Sequence, residues 1–163
     1  MKESSILQGV APKGRVLQVV SVTKTDTFTS TSTSFTDITG LSASITPSST
    51  SSKILVLYKV SVNSRGADAL WLQLLRGATA IGGGTAAGSR PSAMSGFYTG
   101  NNTGMTDLSG NFFDSPASES SQTYKIQAEI TAGTLGINTS LEDANLSTRN
   151  RMSSTITLME VAG

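Results

Sequence analysis

What most constrains this chain is a period-two alternation of apolar and polar residues in short runs, each closed by Ser, Pro or Gly. It is plainest in the first third, Arg15 to Val62. The run Arg15-Val16-Leu17-Gln18-Val19-Val20-Ser21-Val22 leads into a Ser/Thr tract over 23–39. A second alternation (Leu41, Ala43, Ile45) is stopped at Pro47, and a long run follows over 53–62. Val-, Ile- and Thr-rich runs between such turns specify strands that bury one face, and several in succession specify an all-β sandwich or barrel.

The same pattern continues to the end. Strands are expected over 15–24, 41–46, 53–62, 69–76, 94–99, 105–113, 123–130, 135–138 and 154–161. In the long run, Ile54, Val56, Tyr58, Val60 and Val62 share one face, with Leu55 and Leu57 on the other, so its first half should be covered on both sides. In 123–130, Tyr124, Ile126, Ala128 and Ile130 face in, while Lys125, Gln127 and Glu129 face out. The stretch Ala69-Leu70-Trp71-Leu72-Gln73-Leu74-Leu75-Arg76 has helical propensity. The absence of capping residues and the tight Gly77-Ala78 return make it a strand of a hairpin. Phe28, Phe35 and Ile38 mark the Ser/Thr tract as packed rather than a free linker. Gly82-Gly83-Gly84 and the stretch from Gly88 to Pro91 read as a flexible loop. About eight or nine strands and no helix suit a jelly-roll-like, two-sheet antiparallel β-sandwich.

At 163 residues the chain is one domain, long enough to bury a core without disulfides or metal. Residues 15–163 form the sandwich. Residues 1–14 form a short N-terminal arm, closed by Pro12 and Gly14 and carrying Ile6, Leu7 and Val10; it is either a loose terminus or an anchor on a partner. About fourteen residues reach at most roughly 50 Å when extended, so an anchored module would sit close to its holder.

Charged residues are only 14% of the chain, and Ser plus Thr roughly 30%, against about 25% charged in ordinary domains. Threonine stays polar while fitting a pleated strand, and such a surface owes little of its solubility to screened charge. With a net charge of +1 and no basic run, nucleic-acid binding by counterion release has little to work on. No run reaches a membrane span, and the N-terminus lacks the apolar core of a secretion signal, so the chain is expected to be used without classical export.

There is no His and no Cys. That removes the Ser-His-Asp triad, the thiol nucleophile and the ordinary zinc site. The carboxylates Asp107, Asp114, Glu119, Glu142 and Asp143 remain as candidates for glycosidase chemistry. Glu142 and Asp143 read as a solvated turn and Asp114-Ser115-Pro116 as a turn opener. The glycine run lacks the Lys and Ser/Thr of a phosphate loop, and no loop has calcium-ligand spacing. No catalytic residue, cofactor or metal is expected. Asn101, Asn138 and Asn145 sit in Asn-x-Ser/Thr patterns that a Ser/Thr-rich chain produces by chance. Trp71 and Tyr98 can serve as sugar platforms, although a lone Trp in an apolar run reads as core. The most charged loop, 139–152, supplies candidate contact residues Glu142, Asp143, Arg149 and Arg151, joined by Asn101 and Asn102.

The strings Gly14-Arg-Val-Leu-Gln-Val-Val-Ser21, Thr25-Asp-Thr-Phe28, Ser34-Phe-Thr-Asp-Ile-Thr-Gly-Leu41, Ser44-Ile-Thr-Pro47 and Ser52-Lys-Ile-Leu55 carry a family resemblance. So do Leu75-Arg-Gly77, Asp114-Ser-Pro116, Thr123-Tyr-Lys-Ile-Gln127 and Ser154-Thr-Ile-Thr-Leu-Met-Glu160. Together they resemble a β-sandwich domain of tailed phages of aquatic bacteria, including cyanophages. The resemblance implies a virion structural protein without catalytic residues, assembled in the host cytoplasm and displayed on the particle surface. Two roles fit it. One is a capsid decoration or head-knob protein attached through Ile6, Leu7, Val10 and Pro12 of the arm. The other is a receptor-binding tip or short tail-fibre adaptor that recognises host-surface glycans. Expected partners are other virion proteins and further copies of itself, as a homotrimer closed by symmetry; neither nucleic acid nor a membrane is among them.

Overall fold

The computed structural model describes residues 12–66, 69–98, 104–140 and 142–163. Among these, eleven strands form and no helix: β1 (Val16–Lys24), β2 (Phe28–Ser30), β3 (Thr36–Ile45), β4 (Lys53–Arg65), β5 (Ala69–Arg76), β6 (Thr79–Ile81), β7 (Ser95–Tyr98), β8 (Thr106–Asp114), β9 (Gln122–Ile130), β10 (Thr134–Ile137) and β11 (Ser154–Val161). They pair antiparallel in two sheets. One runs β1-β11-β4-β8; the other runs β3-β9-β5-β7. Two four-stranded sheets in this order make a jelly roll. Three short strands extend it. β10 follows β11 along one side of β4 and carries β2, and β6 lies end to end with β7 along β5. The total exceeds the expected eight or nine because the Ser/Thr tract contributes β2, and the return of the 76–79 hairpin pairs as a strand of its own.

Alternation places the core. Tyr124, Ile126, Ala128 and Ile130 of β9 are buried, as are Leu70, Leu72 and Leu74 of β5 and Ile156 and Leu158 of β11. Two expectations need correction. β3 begins at Thr36 rather than residue 41, because the pairing with β9 slips between Asp37 and Ser42, where Gly40 has φ +82°. That bulge puts Ile38 and Leu41, three apart, on the same buried face and breaks the visible period. In β4 it is the second half, not the first, that is covered on both sides. Ser61, Asn63 and Ser64 are buried, whereas Leu55 and Leu57 are half-buried. The cover is the segment around residue 153: Ser61 N–H donates to Ser154 Oγ, and Ser61 Oγ donates to the Ser153 carbonyl.

The connections divide between two poles. At one, Gly14 N–H donates to the Ala162 carbonyl (2.8 Å) and Ala162 N–H to the Arg15 carbonyl (2.8 Å), beside the 46–52 turn, the 77–78 hairpin and the 115–121 connection. At the other lie residues 25–35, 131–133, 138–140 and 142–153. We call them the terminal pole and the loop pole.

Candidate functional site

The loop pole brings together the four charged residues singled out in 139–152, as two ion pairs. Arg149 Nη2 meets Glu142 Oε2 at 2.7 Å, and Arg151 grips Asp143 through Nε and Nη2, both at 2.7 Å. Thr139 Oγ1 adds a bond to Asp143 Oδ1 at 3.0 Å. Arg149 holds the Glu142 carboxyl below its ordinary range. Beneath them Asn138 is fully buried, with φ +59°. Its amide donates to the Lys24 and Asp26 carbonyls, and its Oδ1 accepts from Ser154 Oγ. The Asn-x-Ser pattern at Asn138 is therefore structural and closed to modification. The paired side chains enclose a hollow of about 360 Å³ lined by Asp143, Asn145, Leu146, Arg149 and Arg151. Its carboxylates are tied to guanidinium groups, which suits contact rather than proton transfer. Asn101 and Asn102 lie outside the described residues, as do Ile6, Leu7 and Val10 of the arm. Pro12 is exposed, and its carbonyl accepts from Arg15 N–H.

Of the remaining carboxylate candidates, Asp107 and Asp114 are also engaged. Asp107 accepts from Ser61 Oγ and faces Lys59 (3.6 Å), and Glu119 is an exposed loop residue. Asp114 does more than open a turn. It is buried and takes both Arg76 Nη1 and the Tyr124 hydroxyl at 2.7 Å. Burial, with the Asp114 carboxylate beside it, raises the Tyr124 hydroxyl well above its usual range. A second buried carboxylate, Glu160, escapes a reading by motif. It receives Gln18 Nε2 (2.6 Å), Ser48 N–H (2.7 Å), Ser48 Oγ (2.6 Å) and Ser52 Oγ (2.7 Å), and so fastens the 46–52 turn to β1 and β11. Its signal is its phase, since Glu160 continues the buried series Ile156, Leu158. Among the described residues no group of three or more Asp and Glu is placed to hold a metal.

A third surface crosses the outer face of the first sheet. Val19 of β1 lies opposite Met159 of β11, Met159 opposite Leu55 of β4, and Leu55 opposite Phe113 of β8. This gives an apolar row across four strands, with Val19 54% and Phe113 53% exposed. The outward residues of β1 and β11 (Leu17, Val19, Ser21, Thr23, Thr155, Thr157, Met159 and Val161) carry no charge. β1 is an edge strand, and a long uncharged edge is what natural sheets otherwise protect.

Trp71 corrects the expectation of a core residue. Leu70 and Leu72 take the inward positions, and Trp71 is half-buried on the outer face of the second sheet. Tyr98 is 73% exposed. The glycine loop is also less free than expected. A Cβ at Gly82 would come within 2.8 Å of the Phe112 ring on β8, and one at Gly83 would overlap Ser92 Oγ, so the first lies against the body and the second against the returning limb of its own loop.

No protein-family model matches the chain, and no curated protein matches it. Among solved structures it is similar in shape to the structure of the infectious bursal disease virus Gx strain (14% identity, TM-score 0.44), covering 93% of this chain and 39% of that one. It is likewise similar to the crystal structure of the infectious bursal disease virus VP2 subviral particle (13% identity, TM-score 0.40), covering 92% of this chain and 38% of that one. The chain thus spans about two fifths of the length of each.

Proposed function

We propose that this chain is a non-enzymatic structural protein of a virion, displayed on the particle as a capsid decoration or head-knob protein. In this reading the arm, through Ile6, Leu7, Val10 and Pro12, holds the particle, and copies associate with one another as a closed trimer. The observation that carries it is the apolar row Val19–Met159–Leu55–Phe113. A sheet face turned to water is ordinarily polar, whereas this one presents an apolar row and, on β1 and β11, no outward charge, with Lys53 and Lys59 of β4 to either side, an area that another copy can cover. In this reading attachment and self-association sit together, since Gly14 lies beside Ala162 at the terminal pole, and the loop pole is turned away from the particle. The sequence resemblance to virion surface domains supports the same role.

Two variants separate the two contacts. Deleting residues 1–13 spares the Gly14–Ala162 pairing, so the protein should fold and keep its oligomeric state while no longer binding particles stripped of it. The double change Val19→Lys with Leu55→Lys should yield a folded monomer by light scattering. Full particle binding by the truncated protein would sink the anchoring role; an unchanged oligomer in the double variant would sink the role of the row. A second reading, a receptor-binding tip for host-surface glycans, is favoured by the ordered arginine-lined hollow at the loop pole. It requires soluble protein to compete with particles for host cells.

A further inference from the structure

We propose that the hollow between Trp71 and Arg90 is a binding site for a carboxylated saccharide, of the uronic or sialic type. It lies on the flank of the second sheet, apart from the charged loop, and has a volume of about 340 Å³. That is within the range of small-ligand sites, roughly 300–1,000 Å³. One wall is the ring of Trp71, the single tryptophan of the chain. Gly96 lies opposite it on β7, and a Cβ there would overlap the ring, so the glycine lets the indole lie close over the strand. An aromatic face of this kind takes the C–H face of a sugar ring, and Thr85, which also lines the hollow, offers a hydroxyl.

Arg90 also lines the hollow. Its Nε donates to the Ala87 carbonyl at 3.0 Å, and Ala87 and Arg90 exchange two backbone bonds. The guanidinium is thus held by its stem side. Among the described residues no carboxylate lies within ion-pair distance of it, whereas Arg76, Arg149 and Arg151 each have one. An aromatic platform and a guanidinium without a carboxylate partner, lining one hollow, fit a sugar that carries a carboxylate, which the two Nη groups can grip bidentately. The loop is already shaped for this: Gly84 N–H bonds the Ala93 carbonyl (3.2 Å) and Met94 N–H the Leu72 carbonyl (2.8 Å). A loop ordered beforehand costs less to bind. Glu129 stands opposite Trp71 on the β9 side and does not line the hollow.

The ligand class rests on the glycan-recognition reading and is independent of the arm and the apolar row, so loss of particle attachment and loss of sugar binding are separate failures. The lone tryptophan makes its own reporter. Full-length protein is titrated with galacturonate oligosaccharides, with sialyllactose, and with neutral lactose and galactose oligosaccharides, following indole fluorescence and calorimetric heat. The expected result is a saturable change with at least one acidic panel, at least tenfold weaker with neutral sugars. Arg90→Gln should weaken acidic binding at least tenfold, and Arg90→Lys should fall between, both with unchanged circular dichroism. Which acidic panel responds identifies the source of the carboxylate. No saturation with either acidic panel, equal response to neutral sugars, or full binding by Arg90→Gln overturns the proposal.

Discussion

A carboxylate on the apolar side of a strand must be neutral or surrounded by donors, and Glu160 is surrounded. Burial alone would raise its pKa; the bonds from Ser48, Ser52 and Gln18 outweigh that and hold it at about 2, against an ordinary 4.5. Because the folded value is the lower one, the stabilisation is complete above pH 4.5 and drains away as pH falls toward 2. Its size is on the order of 3 kcal/mol. Urea unfolding followed from pH 6 to pH 2 should show that loss, and Glu160→Gln should be less stable at pH 7 and flatter across the same window. Asn138 is the second such residue. Asn138→Ala removes three hydrogen bonds and should cost roughly 2–4 kcal/mol. Asn138→Gly, which relieves the positive φ, should cost nearly as much if the bonds dominate. The Asn-x-Ser pattern at Asn138 says nothing of this role. Glu160 was legible only as a polar side chain in phase with buried ones, and the partners of both residues, from Gln18 to Ser154, are brought in by topology that the local pattern does not contain.

Among the elements, the edge strands β7 and β8 share a device. Each sets a glycine opposite an aromatic residue of its neighbour, Gly96 against Trp71 and Gly110 against Tyr58. A Cβ at Gly110 would come within 2.6 Å of the Tyr58 hydroxyl, which itself donates to Ser95 Oγ and links the two sheets. An aromatic ring laid over a glycine covers the weakest position of an edge strand. Gly110→Ala should therefore destabilise by about 1–3 kcal/mol. The penalty should shrink in a Tyr58→Phe background, where the oxygen nearest the new methyl group is gone; a thermal double-mutant cycle measures the difference. Clean alternation made β9 and β11 readable to within a residue. β3 was half hidden because its bulge shifts the period, and β2 because three residues of a Ser/Thr tract show no period at all.

For the molecule as a whole, the two-sheet plan followed from strand count and turns, whereas the separation into poles did not, since it depends on which strands become neighbours. The surfaces follow suit. Arg149 and Arg151 were legible as a charged loop, but the row Val19–Met159–Leu55–Phe113 unites four distant segments and exists only in the fold. With a net charge of +1, association through that row should be nearly indifferent to sodium chloride between 0.05 and about 1 M and should tighten in sulfate. Sedimentation across that series checks it, and dissociation at high salt would instead point to ionic contacts.

The ladder between Gly14 and Ala162 has one more use. Positions so near each other can be joined by a few glycines and the ring reopened elsewhere, for instance between Asn145 and Leu146. Such a circular permutant should keep the same cooperative melt, and its new ends would offer a place to graft cargo at the loop pole.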